Sequence, residues 1–186
     1  MVTLKKHATY LVLLPLVATI SGCLYELTLD EKGGGTMTAQ FQVSKPDLPT
    51  IKGRMGSSAV KVTSAELVTK EGRSEGVFKL QFSDVTKLST VEQFRSIQIT
   101  RVEGPKGMVL TAKIRHDKPL NLPDAVVDRF GKEVKVIVNL PGDVVESNGK
   151  VSGGKTVTWS WGIREFFDTP EVVMTATYKQ PGAAAH

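Results

Sequence analysis

From Tyr25 onward the chain alternates apolar and polar side chains with a period of two. Tyr25, Leu27 and Leu29 alternate with Glu26, Thr28 and Asp30. Beyond Gly33-Gly34-Gly35, Met37, Ala39, Phe41 and Val43 alternate with Thr38, Gln40 and Gln42. Strands send successive side chains to opposite faces, so the pattern predicts a hairpin with one apolar face, its glycines supplying the positive φ of a tight turn. A second hairpin is expected across Glu71–Gly76, between Val60, Val62 and Leu67 on one side and Phe78, Leu80 and Phe82 on the other. A third joins Ile97 and Ile99 to Met108, Leu110, Ala112 and Ile114 through Gly104-Pro105-Lys106-Gly107. Further strands are expected at Val134–Leu140, Val157–Ile163 and Val172–Tyr178.

Helical spacing is confined to short stretches. Ser89 and Glu92 stand at capping-box spacing, with Leu88, Val91 and Phe94 on one face. Pro123 suits a first helical position, with Val126, Val127 and Phe130 behind it and Gly131 as a stop. Asp47–Gly56 carries Leu48, Ile51 and Met55 at helical spacing, interrupted by Gly53. Most strands pair an apolar face with one rich in Thr, Gln and Lys, the mark of antiparallel sheet covered on one side. The fold expected is a single α+β domain: a curved antiparallel sheet of about seven to nine strands with two or three short helices.

The amino terminus reads differently. Lys5 and Lys6 precede an apolar run, Tyr10–Ile20, which is shorter than the roughly 20 residues a bilayer span needs and is broken by Pro15. It fits the apolar region of an export signal. The run ends in Ile20-Ser21-Gly22-Cys23, which resembles the lipobox of bacterial lipoproteins. In such signals the small Ser21 and Gly22 admit an extended backbone to a peptidase that cuts between Gly22 and Cys23. The Cys23 thiol is the nucleophile that takes diacylglycerol as a thioether. Residues 1–22 are therefore expected to be a signal peptide, residues 23–180 a lipid-anchored domain, and residues 181–186 a loose tail.

Composition narrows the chemistry. Cys23 is the only cysteine and there are three histidines, His7, His116 and His186, so neither a disulfide framework nor a thiolate metal site can be built. Beyond residue 22 there are 22 basic and 19 acidic residues, a net of +3 without a basic cluster, which excludes a dedicated nucleic-acid binder. Lys79, Lys113 and Lys135 lie on the polar faces of three strands and could make a mildly basic surface toward anionic headgroups.

Two motifs suggest enzymes, and neither fits its context. Gly149-Lys150-Val151-Ser152-Gly153-Gly154-Lys155-Thr156 matches GxxxxGK[ST], but strand-like Val157-Thr158-Trp159-Ser160-Trp161 follows where a P-loop needs a helix. No nucleotide partner is expected. Gly72-Arg73-Ser74-Glu75-Gly76 matches GxSxG, but Val77–Phe82 again reads as strand. His116, in a polar segment before Pro119, has no evident nucleophile to serve as base. No catalytic residue, metal or cofactor is assigned.

Val157, Trp159, Trp161 and Ile163 share one strand face. Two indoles two residues apart either pack a core beneath helices or wall an apolar cavity, and the sequence leaves both open. On the second reading Trp159, Trp161 and Ile163 are the candidate ligand-binding residues.

A resemblance adds to this. The strand and Gly-rich turn after Cys23, Leu29-Asp30-Glu31-Lys32-Gly33-Gly34-Gly35, and above all Leu140-Pro141-Gly142-Asp143-Val144-Val145-Glu146-Ser147-Asn148-Gly149 with Val157-Thr158-Trp159, resemble the LppM-like lipoproteins of bacterial envelopes. The resemblance implies an α+β, lipid-anchored, non-enzymatic envelope domain that binds a lipid or glycolipid. Many such proteins continue into a transmembrane helix. This chain runs to His186 without one, so the lipid on Cys23 is expected to be its sole membrane anchor. Leu24 stands where many lipoproteins kept at an inner membrane have aspartate. The location expected is an outer membrane if the cell has one, and otherwise the outer face of the plasma membrane. The alternative is a scaffold that engages a protein partner through its sheet face or edge.

Overall fold

In the computed structural model, which describes residues 22–70, 72–116, 122–124, 127 and 132–180, the Gly-rich turn joins β1 (Gly22–Leu29) to β2 (Gly35–Gln42) as an antiparallel hairpin. β3 (Val60–Lys70) and β4 (Arg73–Phe82) form the second hairpin, with β4 also lying along β2. β5 (Ile97–Gly104) and β6 (Gly107–Arg115) form the third. β7 (Glu133–Asn139), β10 (Thr156–Gly162) and β11 (Glu171–Tyr178) fall where alternation placed strands, and β8 (Val144–Ser147) and β9 (Lys150–Ser152) are short additions.

The one antiparallel sheet expected is in fact two sheets. The larger runs β3-β4-β2-β1-β7-β10-β9 and the smaller β5-β6-β11-β8. The larger sheet is mixed, because β1 and β7 pair in parallel, Cys23 opposite Val134 and Leu27 opposite Val138. Alternation tells which face a side chain takes and says nothing of which strand lies beside it, so the sheet count was not readable from the pattern. The apolar faces of the two sheets meet. Leu27, Phe78, Val138 and Trp159 are buried from the larger sheet, and Leu110, Met174 and Tyr178 from the smaller. Both sheets line the space between them, together with the short helical turns.

Helix α1 (Leu48–Arg54) forms within the stretch expected, Gly53 included. The Ser89–Phe94 stretch is instead two 3-10 turns, Val85–Thr90 and Glu92–Phe94. Its cap is Asp84, whose carboxylate accepts from the Thr86 N–H at 2.9 Å, while the Ser89 hydroxyl donates back to the Thr86 carbonyl at 2.8 Å. The helix expected over Pro123–Gly131 lies largely outside the described residues. A helix that alternation hid, α2 (Ile163–Asp168), takes Ile163 out of the strand to which it was assigned. Gly162 precedes it, and the Glu165 carboxylate accepts from the Gly162 N–H at 3.3 Å. That spacing of N-cap and third residue was the available signal.

The two enzyme-like motifs are hairpins. Gly149–Thr156 comprises β9, a turn at Gly153-Gly154 with φ of 57° and 74°, and the start of β10, so no helix follows to gather amides around a phosphate. Lys155 is exposed, with its ammonium 3.5 Å from the Pro141 carbonyl. Lys155→Ala should leave stability within about 0.5 kcal/mol of wild type. Melting curves with and without ATP should coincide for both proteins, and a nucleotide shift lost in the variant would contradict this. Ser74 of the GxSxG match is a β4 strand residue whose carbonyl accepts from the Val43 N–H at 3.1 Å, not an exposed elbow.

Candidate functional site: an apolar cavity between the sheets

A cavity of about 300 Å³ lies between the two sheets. β1, β7 and β10 contribute Leu27, Val136, Val138 and Trp159 to one wall, and β6 and β11 contribute Leu110, Ile114 and Met174 to the other. The period-two pattern puts these side chains inward together. The 3-10 turns close one side with Leu88 and Phe94. Among the described residues no Asp, Glu, Lys or Arg belongs to the lining. Such a space penalises any charged or strongly polar occupant and favours hydrocarbon.

The lining is graded along its length. Gln93 and Ser96 are its exposed members, and they mark the mouth. Leu27, Met37 and Val138 are buried at the other extreme. Tyr25 lies on the mouth side, and Cys23 is two residues before it on the same face of β1. The Tyr25 ring meets Phe94, next to Gln93, edge-on at 6.2 Å. Cys23 is half-buried, and its side chain is part of the wall. Burial, and secondarily the Glu75 carboxylate, push its thiol up to about 11, so near neutral pH it is protonated and a poor nucleophile.

His116 also borders the cavity, in a role that is structural. Its Nδ1 lies 2.7 Å from the Thr169 carbonyl oxygen and its backbone N–H donates to the Pro170 carbonyl at 3.0 Å. The ring packs edge-on against Phe166 at 5.3 Å and beside Phe167 at 5.7 Å. These contacts dock α2 onto the end of β6. Among the described residues no group of three His, Cys, Asp or Glu side chains is placed to hold a metal ion.

Of the three aromatic and aliphatic candidates, Trp159 lines the cavity. Trp161 and Ile163 do not: Trp161 is half-buried with its ring 5.7 Å from Phe166, and Ile163 is buried as the first residue of α2. Trp159 is held from behind by Asn148. The Asn148 Oδ1 accepts from the indole Nε1–H at 2.8 Å and from the Thr175 N–H at 2.9 Å, while its amide donates to the Val173 carbonyl at 2.8 Å. β8 belongs to the smaller sheet and β9 to the larger, so Asn148-Gly149 is where the chain crosses between them. Gly149 is required there: a Cβ would stand 2.7 Å from the indole of Trp159 and from Val157. The Ser147-Asn148-Gly149 and Val157-Thr158-Trp159 segments are thus the two halves of one junction that clamps the sheets around the cavity.

The three lysines do not assemble into one surface. Lys79 and Lys135 lie on β4 and β7 of the larger sheet, and Lys113 lies on β6 of the smaller. Lys135 pairs with Glu133 at 3.1 Å, and the Ser160 hydroxyl, followed by that lysine, holds the Glu133 carboxyl below the usual range. Sequence reasoning missed Cys23, Leu88, Phe94 and Ala112 as lining residues. For Cys23 a signal existed, since it shares odd parity with Tyr25, Leu27 and Leu29 on the apolar face.

The family model described as LppM domain matches residues 19–176. The NMR structure of the folded domain of Mycobacterium tuberculosis LppM aligns with the chain at a TM-score of 0.49 and 14% identity, over 91% of this chain and 98% of that one. No curated protein matches in sequence.

Proposed function

Because the chain belongs to the LppM domain family, we propose that it is a non-enzymatic, lipid-anchored protein of the cell envelope that takes an amphiphilic, lipid-like ligand into the cavity between its sheets. The observation that carries this reading is the cavity itself, about 300 Å³ with no Asp, Glu, Lys or Arg among the described residues of its lining. A methylene takes up about as much room as a water molecule in the liquid, about 30 Å³, so the space suits about ten methylenes of one chain. At about 0.8 kcal/mol each these contribute about 8 kcal/mol before the cost of immobilising the chain. Micromolar binding, about −8 kcal/mol, is therefore the upper limit for the cavity alone, and any headgroup contact would have to come from the mouth at Gln93 and Ser96.

The other reading, a scaffold for a protein partner, has less to support it. The exposed large apolar side chains among the described residues are Val68, Val102, Val145 and Val151, one on each of four different edge strands. Single exposed valines are ordinary on a protein surface and do not make a docking stripe.

The test is a titration of lipid-free protein, residues 23–186, with extracted envelope lipids below their aggregation threshold. Tryptophan emission should shift to the blue as lipid replaces water beside Trp159, and lipid should stay bound in native mass spectra. Ala112→Phe, which grows a ring into the cavity from β6, should abolish both while the protein still melts cooperatively. Absence of both signals in wild type would put the protein-partner reading ahead.

A further inference from the structure

We propose that one acyl chain of the lipid on Cys23 folds back into the cavity between the sheets, so that the resident occupant of the cavity is the protein's own anchor. This rests on reading Cys23 as the lipid-bearing residue. A lipid on a flexible spacer would be free to leave the domain. Here there is no spacer: Cys23 is itself a residue of β1, opposite Val134 on β7 and next to Leu24, which pairs with Gln40 on β2. Strand parity sends its side chain to the face of Tyr25 and Leu27, and the side chain forms part of the cavity wall. A thioether built on that sulfur therefore starts at the cavity, not on the outer face of the sheet.

Capacity and chemistry agree with this direction. The cavity of about 300 Å³ takes about ten methylenes, which is a substantial part of one chain and too little for two. The remaining chains would continue past Gln93 and Ser96 into the bilayer. A methylene gains about as much in an apolar cavity as in a bilayer, so solvent alone does not decide between them. The covalent link does, because it holds the chain beside the cavity at an effective concentration in the millimolar range. An apolar cavity left unfilled also forfeits the dispersion contacts of its lining. Uptake of a foreign lipid then becomes an exchange, in which the incoming chain displaces the anchor chain toward the membrane.

The experiment uses the mature protein extracted from membranes in a mild detergent and exposed to a lipase that cleaves the ester-linked chains. Mass spectrometry follows the loss of each chain. In the folded protein the first chain should leave quickly and the second at least about tenfold more slowly, as expected for a group freed only by local opening. After protease digestion of the domain, the lipid-bearing peptide should lose both chains at one fast rate. Ala112→Phe should remove the protection in the folded protein, and the comparison of intact with digested wild type decides the matter even if that variant does not fold. Loss of both chains from folded wild type at the rate seen for the peptide would overturn the proposal. A mature protein whose mass shows no diacylglycerol would overturn the lipid-anchor reading itself, a result distinguishable at the first measurement.

Discussion

Replacing Cys23 with alanine is expected to leave an uncleaved or soluble precursor in place of the mature membrane-held protein. A thioether requires a thiol, and the chain has no other cysteine to receive the lipid. No helix among the described residues is long and apolar enough to cross a membrane, and Lys79, Lys113 and Lys135 do not gather into a basic face. On the lipid-anchor reading retention falls to the acyl chains, and one chain gives only marginal, reversible binding where two hold firmly. The effect should be close to all-or-none: after a high-salt wash the wild type stays in the membrane pellet, and the variant is reduced there by about a hundredfold or appears only as precursor. Cys23→Ser should behave as Cys23→Ala does, which separates loss of the thiol from loss of side-chain volume. Lipid-free domains of both variants should melt within about 1 kcal/mol of wild type, because the wall loses only one atom or group at a half-buried position. Equal retention of wild type and both variants after washing would end the lipoprotein reading.

Trp159→Ala is expected to cost about 3–5 kcal/mol of stability, the range for removing a large aromatic from a core. Trp159 is 5% exposed, packs against Gly149, and bonds Asn148 across the crossing between sheets. Asn148→Ala should cost about 1–3 kcal/mol, because it leaves the indole N–H and the Thr175 N–H without their common acceptor. The two losses should not add. Once the indole is gone, Asn148 has one partner fewer to lose, so the double variant should fall short of the sum by about 1 kcal/mol. Urea denaturation of the four proteins measures this. Strict additivity would mean that the bond between Asn148 and Trp159 contributes nothing to joining the sheets.

Legibility in the sequence followed what alternation can encode. The inward positions of β1, β2, β4, β6 and β11 were visible from Tyr25, Phe41, Phe78, Leu110 and Val172 because period two is a local property. The parallel pairing of β1 with β7 was not, since it depends on residues such as Cys23 and Val134 that are far apart in the chain. The division into two sheets was hidden for the same reason. Trp159 was legible as a cavity candidate from its size and parity. Trp161 and Ile163 shared that parity, but the chain leaves the strand at Gly162, so the same face leads into α2 instead of along the cavity. Leu88 and Phe94 escaped because their segment coils as 3-10 turns whose geometry no simple period describes.

The parallel pairing of β1 with β7 also sets an order of events in time. As the chain emerges amino terminus first, β1 can pair with β2 almost at once, but its other neighbour arrives about 110 residues later. At about 5–20 residues per second of synthesis, that leaves on the order of 5–20 s in which one edge of β1 has no partner. In that interval the backbone at Gly22-Cys23 is still open to a peptidase and the Cys23 thiol has no cavity to be buried in. When Glu133–Asn139 arrive, the strand acquires its second neighbour and the opening closes. On the lipid-anchor reading, maturation of the amino terminus is thereby a race against completion of the fold, and a mutation that slowed the intervening residues would lengthen the window without touching the cysteine.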